Sequence, residues 1–161
     1  MKMAPGGSPL WVRIFKFASG AGEQISQIIE DSEGHIAGCG LFGLGSLTGF
    51  VFRYNPATDQ VDWVRENPVN PQSFCYNIQE KAAGGNFLAT WSYHNSPAPG
   101  SFDDANLVEI NRNTGAITGT PYAYTYGSSE SFLDIKQRAG FWYTAGRYTY
   151  GAAFGGMRAG L

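Results

Sequence analysis

The chain has 161 residues, of which 15% are aromatic and 15% charged, with 22 glycines and a formal net charge of −2. This length is enough for one domain with a sizeable core. Few charges with many aromatics and glycines favour a turn-rich β protein and exclude a helical bundle or a disordered chain. No Lys or Arg cluster supports a nucleic-acid partner, and no apolar run reaches the ~18–20 residues needed to span a bilayer.

The start of the chain is predicted to be a flexible arm. Residues 1–9 are rich in Pro, Gly and Ser and lack the apolar segment of an intact signal peptide. Residues 10–17 alternate imperfectly, but their aromatic and β-branched content favours a strand. We therefore expect a loose arm over 1–9 and a single β domain over 10–161.

Four strands are predicted in the next stretch of the chain, at 24–30, 35–42, 49–54 and 61–63. Gly34 lies in the turn between the first two, where a positive φ is easiest. Asn55 opens the polar turn between the last two. Gly38 and Gly40 lie inside a strand, which often indicates close approach of another backbone.

The same order of elements then returns. Strands are predicted at 72–80, 86–93, 105–110 and 116–120, and again at 131–136 and 141–148. The turn glycines Gly34, Gly85 and Gly140 are 51 and 55 residues apart, and Asn55 and Asn111 are 56 apart. A period of about 50 residues holding four short strands is typical of a β-propeller blade.

The chain therefore divides into an entering strand and three further units, with bounds of approximately 10–22, 23–70, 71–127 and 128–161. Trp11 and Trp63 are each followed by Val-Arg, so the entering strand matches the last strand of a unit. The pattern begins within one blade and ends within another.

Two phrases carry a family resemblance: Asp-Ser-Glu-Gly-His-Ile-Ala-Gly at 31–38 and the hairpin from Gly49 to Trp63. They resemble bacterial β-propeller repeats of the SBBP-like and quinoprotein-like kinds. The resemblance covers most of the chain from residue 10 and implies an all-β, propeller-like fold with about three four-stranded blade equivalents. The second unit departs from the pattern, since its Trp place falls near 118–120. A β-trefoil, which also uses threefold repetition, is the alternative.

Three blade equivalents do not easily close a ring, because propellers have 4–8 blades and an open stack leaves strand edges bare. The expected partner is a second copy of the chain, or another protein, that completes the ring. The other interpretation is that these residues belong to a longer polypeptide, including a multi-blade quinoprotein-like enzyme.

Few residues suggest chemistry. His94 precedes a loop that ends at Asp103 and Asp104, and a His near two carboxylates can bind a metal or act in acid–base catalysis. The alternative is a polar loop with a solvated acidic pair, and zinc would need a third ligand that the sequence does not supply. His35 follows a turn and is expected near solvent at a strand start.

Aromatic residues crowd the second half of the chain, and Tyr and Trp stack on sugars and also dominate protein interfaces. The candidates for binding are Trp91, Tyr93, Trp142 and Tyr148, beside His94, Asp103 and Asp104. Tyr122, Tyr124 and Tyr126 alternate along one predicted strand face. We favour core or interface over a sugar site for this face.

Cys39 and Cys75 show no metal-binding spacing, which favours buried free thiols, with a disulfide possible in an oxidising compartment. No catalytic, dinucleotide or P-loop motif is found, so no cofactor is predicted. The sequence therefore predicts a non-enzymatic, extracellular or cell-surface scaffold or binding module that contacts protein or glycan. The alternative is a lectin-like or carbohydrate-active domain.

Overall fold

A computed structural model of the protein describes residues 2–7, 9–11, 14–15, 22–43, 47–66, 73–94, 103–124 and 129–149. Within these ranges the chain is all-β, its strands pair antiparallel, and no helix is found. The strands are β1 (Lys2–Met3), β2 (Pro9–Trp11), β3 (Glu23–Glu30), β4 (Ile36–Phe42), β5 (Thr48–Asn55), β6 (Gln60–Glu66), β7 (Ser73–Glu80), β8 (Phe87–His94), β9 (Asp103–Ile110), β10 (Ile117–Tyr124), β11 (Ser129–Arg138) and β12 (Phe141–Thr149).

These strands form an N-terminal hairpin and three sheets. The first sheet has the order β3-β4-β5-β6, the second has the order β10-β9-β8-β7, and the third contains β11 and β12. The N-terminal hairpin pairs β1 with β2. The first and second sheets are therefore meanders of the same topology, and ten of the strands lie where the residue pattern predicts them.

The polar turns of the first and second sheets share one geometry. Asn55 and Asn111 each accept hydrogen bonds at Oδ1 from the N–H groups two and three residues later, at 2.9 and 3.3 Å in the first turn and 3.0 and 3.0 Å in the second. The fifth residue of each turn has a positive φ, 58° at Asp59 and 71° at Gly115. The turn predicted at 111–115 is thus confirmed as a hairpin turn built on Asn side-chain capping.

One detail of the predicted turns is corrected. Gly34 and Gly140 have the expected positive φ, but in the second sheet it is Gly84, at 76°, rather than Gly85. Gly84 and Gly34 are both the fourth residue after the preceding strand. The turn at 81–86 is one residue longer than that at 31–35, and its additional residue comes after Gly84.

The N-terminal region also differs from expectation. The arm predicted over 1–9 includes β1, and the strand predicted over 10–17 is confirmed only in β2, since Ile14 and Phe15 lie outside any strand. Phe15 instead packs its ring on Phe52 and Tyr54, with centroid distances of 5.0 and 5.2 Å. The predicted turn at 19–22 falls almost entirely outside the described residues.

The first strand of every sheet contains a bulge at the same place. The register shifts between Ile25 and Gln27 in β3, between Cys75 and Asn77 in β7, and between Phe132 and Asp134 in β11. A bulge leaves one residue unpaired and increases the local twist. The three bulges align the three strands residue by residue.

Glycines allow two of these bulges. A Cβ on Gly40 would lie 2.0 Å from the carbonyl oxygen of Gln24, and one on Gly146 would lie 2.0 Å from that of Ser131. Any larger residue would clash with backbone at either site. The close backbone approach predicted for the glycines of β4 is therefore confirmed at Gly40.

The inner strands of the second sheet, β8 and β9, are mostly buried on both faces. Strand β7 packs against β3, β4 and β5 of the first sheet, while β11 packs against β7, β8 and β9. The core between the first and second sheets contains Ala37, Cys39, Val51, Trp63, Cys75, Ile78, Phe87, Ala89, Trp91, Val108 and Ile110. A smaller core of Leu88, Leu107, Ile135 and Trp142 lies between the second and third sheets. The described strands do not close into a barrel, which disfavours the trefoil alternative.

Candidate functional site

The strand topology separates two ends of the first and second sheets. The turn end carries the tight turns at 31–35, 56–59, 81–86 and 111–116. The connection end is the opposite one, where β4 leads to β5 and β8 leads to β9. The residues predicted for binding lie mainly at the connection end, whereas the densest group of charges lies at the turn end.

At the connection end, Tyr93 lies directly opposite Asp104 in the pairing of β8 with β9. Its hydroxyl donates a 3.0 Å hydrogen bond to Oδ1 of Asn106, and the Asn106 amide donates to the Asp104 carbonyl at 2.9 Å. Burial, and then the Asp104 carboxylate, raise the pKa of Tyr93, so its phenol keeps its proton. Asn106 and Asp104 are 0% and 4% exposed, so the half-buried Tyr93 is the member of this group that reaches the surface.

Three further predicted residues share this end. His94 and Asp103 are directly opposed in the register of β8 and β9. Tyr148 of β12 pairs with Glu130 of β11. This pair corresponds to that of Tyr93 of β8 with Ser73 of β7. Sequence spacing indicated this grouping, because His94 and the two aspartates flank one loop. That loop, at 95–101, lies outside the described residues.

The two tryptophans are placed differently. Trp91 is 1% exposed and Trp142 5% exposed, and each belongs to a core between sheets. A buried indole has no free face on which a sugar ring can stack. We therefore exclude Trp91 and Trp142 from the candidate site and assign them to the packing of neighbouring sheets.

The predicted tyrosine row is exposed where it is described. Tyr122 and Tyr124 lie on β10 with 57% and 40% of their surface exposed, so they do not fill a core, whereas Tyr126 lies outside the described residues. The ring of Tyr124 lies 6.4 Å from that of Phe132 in the third sheet. Of the two interpretations that we favoured for this face, the core is wrong and the interface stays a prediction.

The turn end contains an ion-pair network that the sequence analysis missed. Arg53 Nε donates to Asp31 at 2.9 Å, and its terminal nitrogens lie 2.6 Å from Glu33 and 3.3 Å from Asp62. The Asp62 carboxylate also contacts His35 Nδ1 at 2.7 Å. His35 therefore lies at a strand start as predicted, with a carboxylate partner. The available signal was Arg53 itself, a charge within the apolar strand Thr48–Asn55.

Arg112 joins this network from the second sheet. Its guanidinium contacts Glu80 and lies 3.3 Å from both Asp31 and Glu33, and it is almost fully buried. Its backbone carbonyl accepts a 2.8 Å hydrogen bond from Trp63 Nε1. One residue of the β9–β10 turn thus ties the first sheet to the second through both its side chain and its backbone.

The pKa values of Asp31, Glu33 and Glu80 in this network are lowered. Burial alone would raise the pKa of Asp31, but hydrogen bonds from Arg53 and from the N–H groups of Glu33 and His35 outweigh it, and the pKa lies below its ordinary value. For Glu80 burial again opposes, while hydrogen bonds from Ser32 and Arg112 lower the pKa. Such charge pairing is typical of a structural tie, although Nε and one terminal nitrogen of Arg112 are buried without a hydrogen-bond partner.

Both cysteines are buried free thiols in the core between the first and second sheets, as predicted. Burial, and then contact with Cys39, raise the pKa of Cys75, which disfavours the reactive thiolate. Neither cysteine is therefore suited to nucleophilic chemistry.

A cleft of about 360 Å³ opens between the outer strands of the first and second sheets. It is lined by Val51, Arg65, Glu66, Trp91, Gly115, Ala116 and Ile117. Its walls are mostly apolar and its charged groups, Arg65 and Glu66, lie at its exposed rim. Trp91, which lines the cleft, belongs to the core against which Tyr93 packs.

No protein-family model, characterised protein or solved structure matches the chain. Among the described residues, no group of three or more His, Cys, Asp or Glu side chains could hold a metal ion. The described part of the chain also contains no helix that is long and apolar enough to cross a membrane.

Proposed function

We propose that the protein is a non-enzymatic binding module built on propeller-type sheets, which holds a protein or glycan ligand at its connection end. The observation that carries the proposal is the repeated meander. Two four-stranded sheets of one topology stack face to face, and the bulge at the same place in β3, β7 and β11 extends the repeat to a third sheet. Radial repetition of such sheets is the plan of a propeller.

The connection end is the proposed place of the ligand because most of the residues predicted for binding gather there. At the turn end Asp31 pairs with Arg53, and Glu80 pairs with Arg112. At the connection end, Tyr93 and Asp104 lie beside the backbone pair of His94 and Asp103. Binding residues are commonly placed on loops held by a rigid scaffold, and the β8–β9 connection has such a scaffold.

A lectin-like role is the second candidate, and the group around Tyr93 favours it. Sugar hydroxyls are recognised by directed hydrogen bonds combined with contact to an aromatic ring. Tyr93 is half-buried and supplies an aromatic ring and a hydroxyl, which the buried Asn106 holds in position, without the two buried tryptophans. Secretion or display at the cell surface is the compartment that we propose for either role.

A parallel screen of glycan and peptide arrays tests the proposal. Three proteins are compared: the wild type, Tyr93→Phe and Asp103→Ala/Asp104→Ala. Tyr54→Phe is the matched control, because it also removes a hydrogen-bonded hydroxyl but at the turn end, where Tyr54 donates to Asp59. We expect one ligand class to bind the wild type and Tyr54→Phe, with at least tenfold weaker binding to the other two variants.

Binding that is unchanged in both site variants would refute the connection-end site. Circular dichroism and thermal melting of each variant show whether a loss of binding reflects unfolding, and Tyr93→Phe removes only a hydroxyl.

A further inference from the structure

The first strands of the three sheets are equivalent, yet only two of them are covered. Aligned on their bulges, Ile28 of β3 corresponds to Ile78 of β7 and Ile135 of β11. Ile78 and Ile135 are fully buried, each against the sheet that precedes it, whereas Ile28 is 49% exposed. Ile25, which aligns with the buried Cys75 and Phe132, is 40% exposed. The exposed part of this face is thus its β3 edge, because Phe50 and Phe52 of β5, in register with Ile25 and Ile28, are fully buried.

The third sheet exposes its other face, the one that would pack on a following sheet. Ala145 of β12 aligns with Cys39 of β4 and Thr90 of β8, which are both fully buried, but Ala145 is exposed. Phe141 and Leu133 of the same sheet are also about half exposed. Among the described strands β12 has one neighbour, β11, whereas β4 and β8 have two each.

The N-terminal hairpin has the same register as β5 and β6, the third and fourth strands of the first sheet. The described third sheet has only the first two strands of that order. In the first sheet Arg53 of β5 pairs with Trp63 of β6, and the register shifts at the next residue. In the N-terminal hairpin Lys2 pairs with Trp11, and the register shifts at the next residue in the same way. A basic residue opposite Trp, followed by a bulge, therefore marks both hairpins. By this alignment β1 and β2 correspond to the third and fourth strands of a sheet.

We propose that β1 and β2 of a second copy of the chain complete the third sheet by pairing β1 with the edge of β12 that has no neighbour among the described strands. This inference rests on the propeller-type repeat of the proposed function. The completed sheet then packs its Ala145 face on Ile25 and Ile28 of the copy that supplied the hairpin. Two copies joined reciprocally in this way form six four-stranded sheets, within the range of 4–8 in which such rings close.

The hairpin of the same chain is too far from β12. Phe15 packs on Phe52 and Tyr54, on the face of the first sheet that points away from the second. Phe15 follows Trp11 by four positions, which allows at most about 14 Å of extended chain between them. Strand β12 lies two sheets further on, and packed sheets are about 10 Å apart, so that distance exceeds 20 Å.

The alignment also predicts the register of the new pair. Arg53 pairs with Ala37 in the first sheet, and Ala37 of β4 aligns with Tyr143 of β12. Lys2 of one copy should therefore lie opposite Tyr143 of the other. Cross-strand Cβ atoms are about 4.5–5.5 Å apart, which is close enough for a disulfide.

A mixing experiment tests this pairing. Lys2→Cys, made as a tagged chain, is mixed with Tyr143→Cys under mild oxidation, and the two variants should form a disulfide-linked heterodimer. Lys2→Cys mixed with Lys136→Cys is the control, because Lys136 lies opposite Tyr143 on β11 and is solvent-exposed. We expect at least tenfold more heterodimer in the first mixture. Equal yields would overturn the proposal. So would a chain that carries both Lys2→Cys and Tyr143→Cys and forms the disulfide only within itself.

Light scattering provides the second test. The wild type should have twice the 17.4 kDa mass of one chain, and Ile28→Asp should have the mass of one chain. Val61→Asp is the matched control, because Val61 has similar exposure but lies on β6, the outermost strand of the sheet, and its mass should stay that of the wild type. A monodisperse wild-type monomer overturns this interface; if it still binds a ligand, the proposed binding function stands without it.

Discussion

The first and second sheets carry an ion pair at the same place with the charges exchanged. Asp31 follows β3 immediately and pairs at 2.9 Å with Arg53, two residues before the turn at Asn55. Lys81 follows β7 immediately and pairs at 2.8 Å with Glu109, two residues before the turn at Asn111. Strand geometry therefore determines where the pair forms but not which strand carries which sign.

The two pairs differ sharply in burial. The side chains of Asp31 and Arg53 are 0% and 6% exposed, whereas those of Lys81 and Glu109 are 38% and 28% exposed. The first pair is covered by Arg112, which comes from the β9–β10 turn of the next sheet. Within the described part of the third sheet there is no such turn to cover the second pair. Burial of the pair is thus a consequence of having a complete neighbouring sheet.

Removing the buried cation should have the largest effect. Arg53→Met leaves the carboxylate of Asp31 buried without its main partner, and we expect a loss of about 3–5 kcal/mol in the free energy of unfolding. Urea unfolding followed by circular dichroism measures the change.

The double variant Asp31→Asn/Arg53→Met is the control, because it removes both charges together. It should recover part of the loss, since an uncompensated buried charge is more costly than a neutral pair. A double variant that is no more stable than Arg53→Met would show that the loss comes from packing instead.

Acid should act on the same pair to a smaller extent. Because the pKa values of Asp31 and Glu80 are lowered in the folded protein, their stabilisation is complete above the unfolded values, about 4, and is lost as the pH falls below them. A protonated Asp31 still accepts hydrogen bonds from backbone N–H groups, so less is lost than in Arg53→Met. The urea concentration at the unfolding midpoint, measured from pH 7 to pH 2.5, should decrease at pH values below 4. A midpoint that does not change with pH would contradict the assignment.

The exposed pair should contribute least. Hydrogen bonds from Lys81 and then Asn86 lower the pKa of Glu109, but both partners of the ion pair are solvated. Lys81→Met should therefore change the free energy of unfolding by less than about 1 kcal/mol. An effect as large as that of Arg53→Met would mean that the second pair is buried in solution, as it would be if another sheet covered it.

Local patterns predicted the strands and turns well. Alternation of apolar residues and the capping by Asn55 and Asn111 depend on neighbours in sequence, so β3 to β12 were found with errors of a few residues. The candidate site was predicted only in part. The grouping of Tyr93, His94 and the two aspartates followed from one loop, but the burial of Trp91 depends on the sheet packed above it.

The strands of the two four-stranded meanders and their small turns could be predicted from the residues alone, because each turn is encoded within a single hairpin. The placement of Arg112 against Asp31, 81 residues earlier, depends on how whole sheets stack, and no local pattern encodes that contact. The exposure of Ile28 beside its buried equivalents Ile78 and Ile135 is of the same kind. Aligned positions in similar sheets are buried or exposed according to which sheet lies against them, and that depends on the tertiary structure.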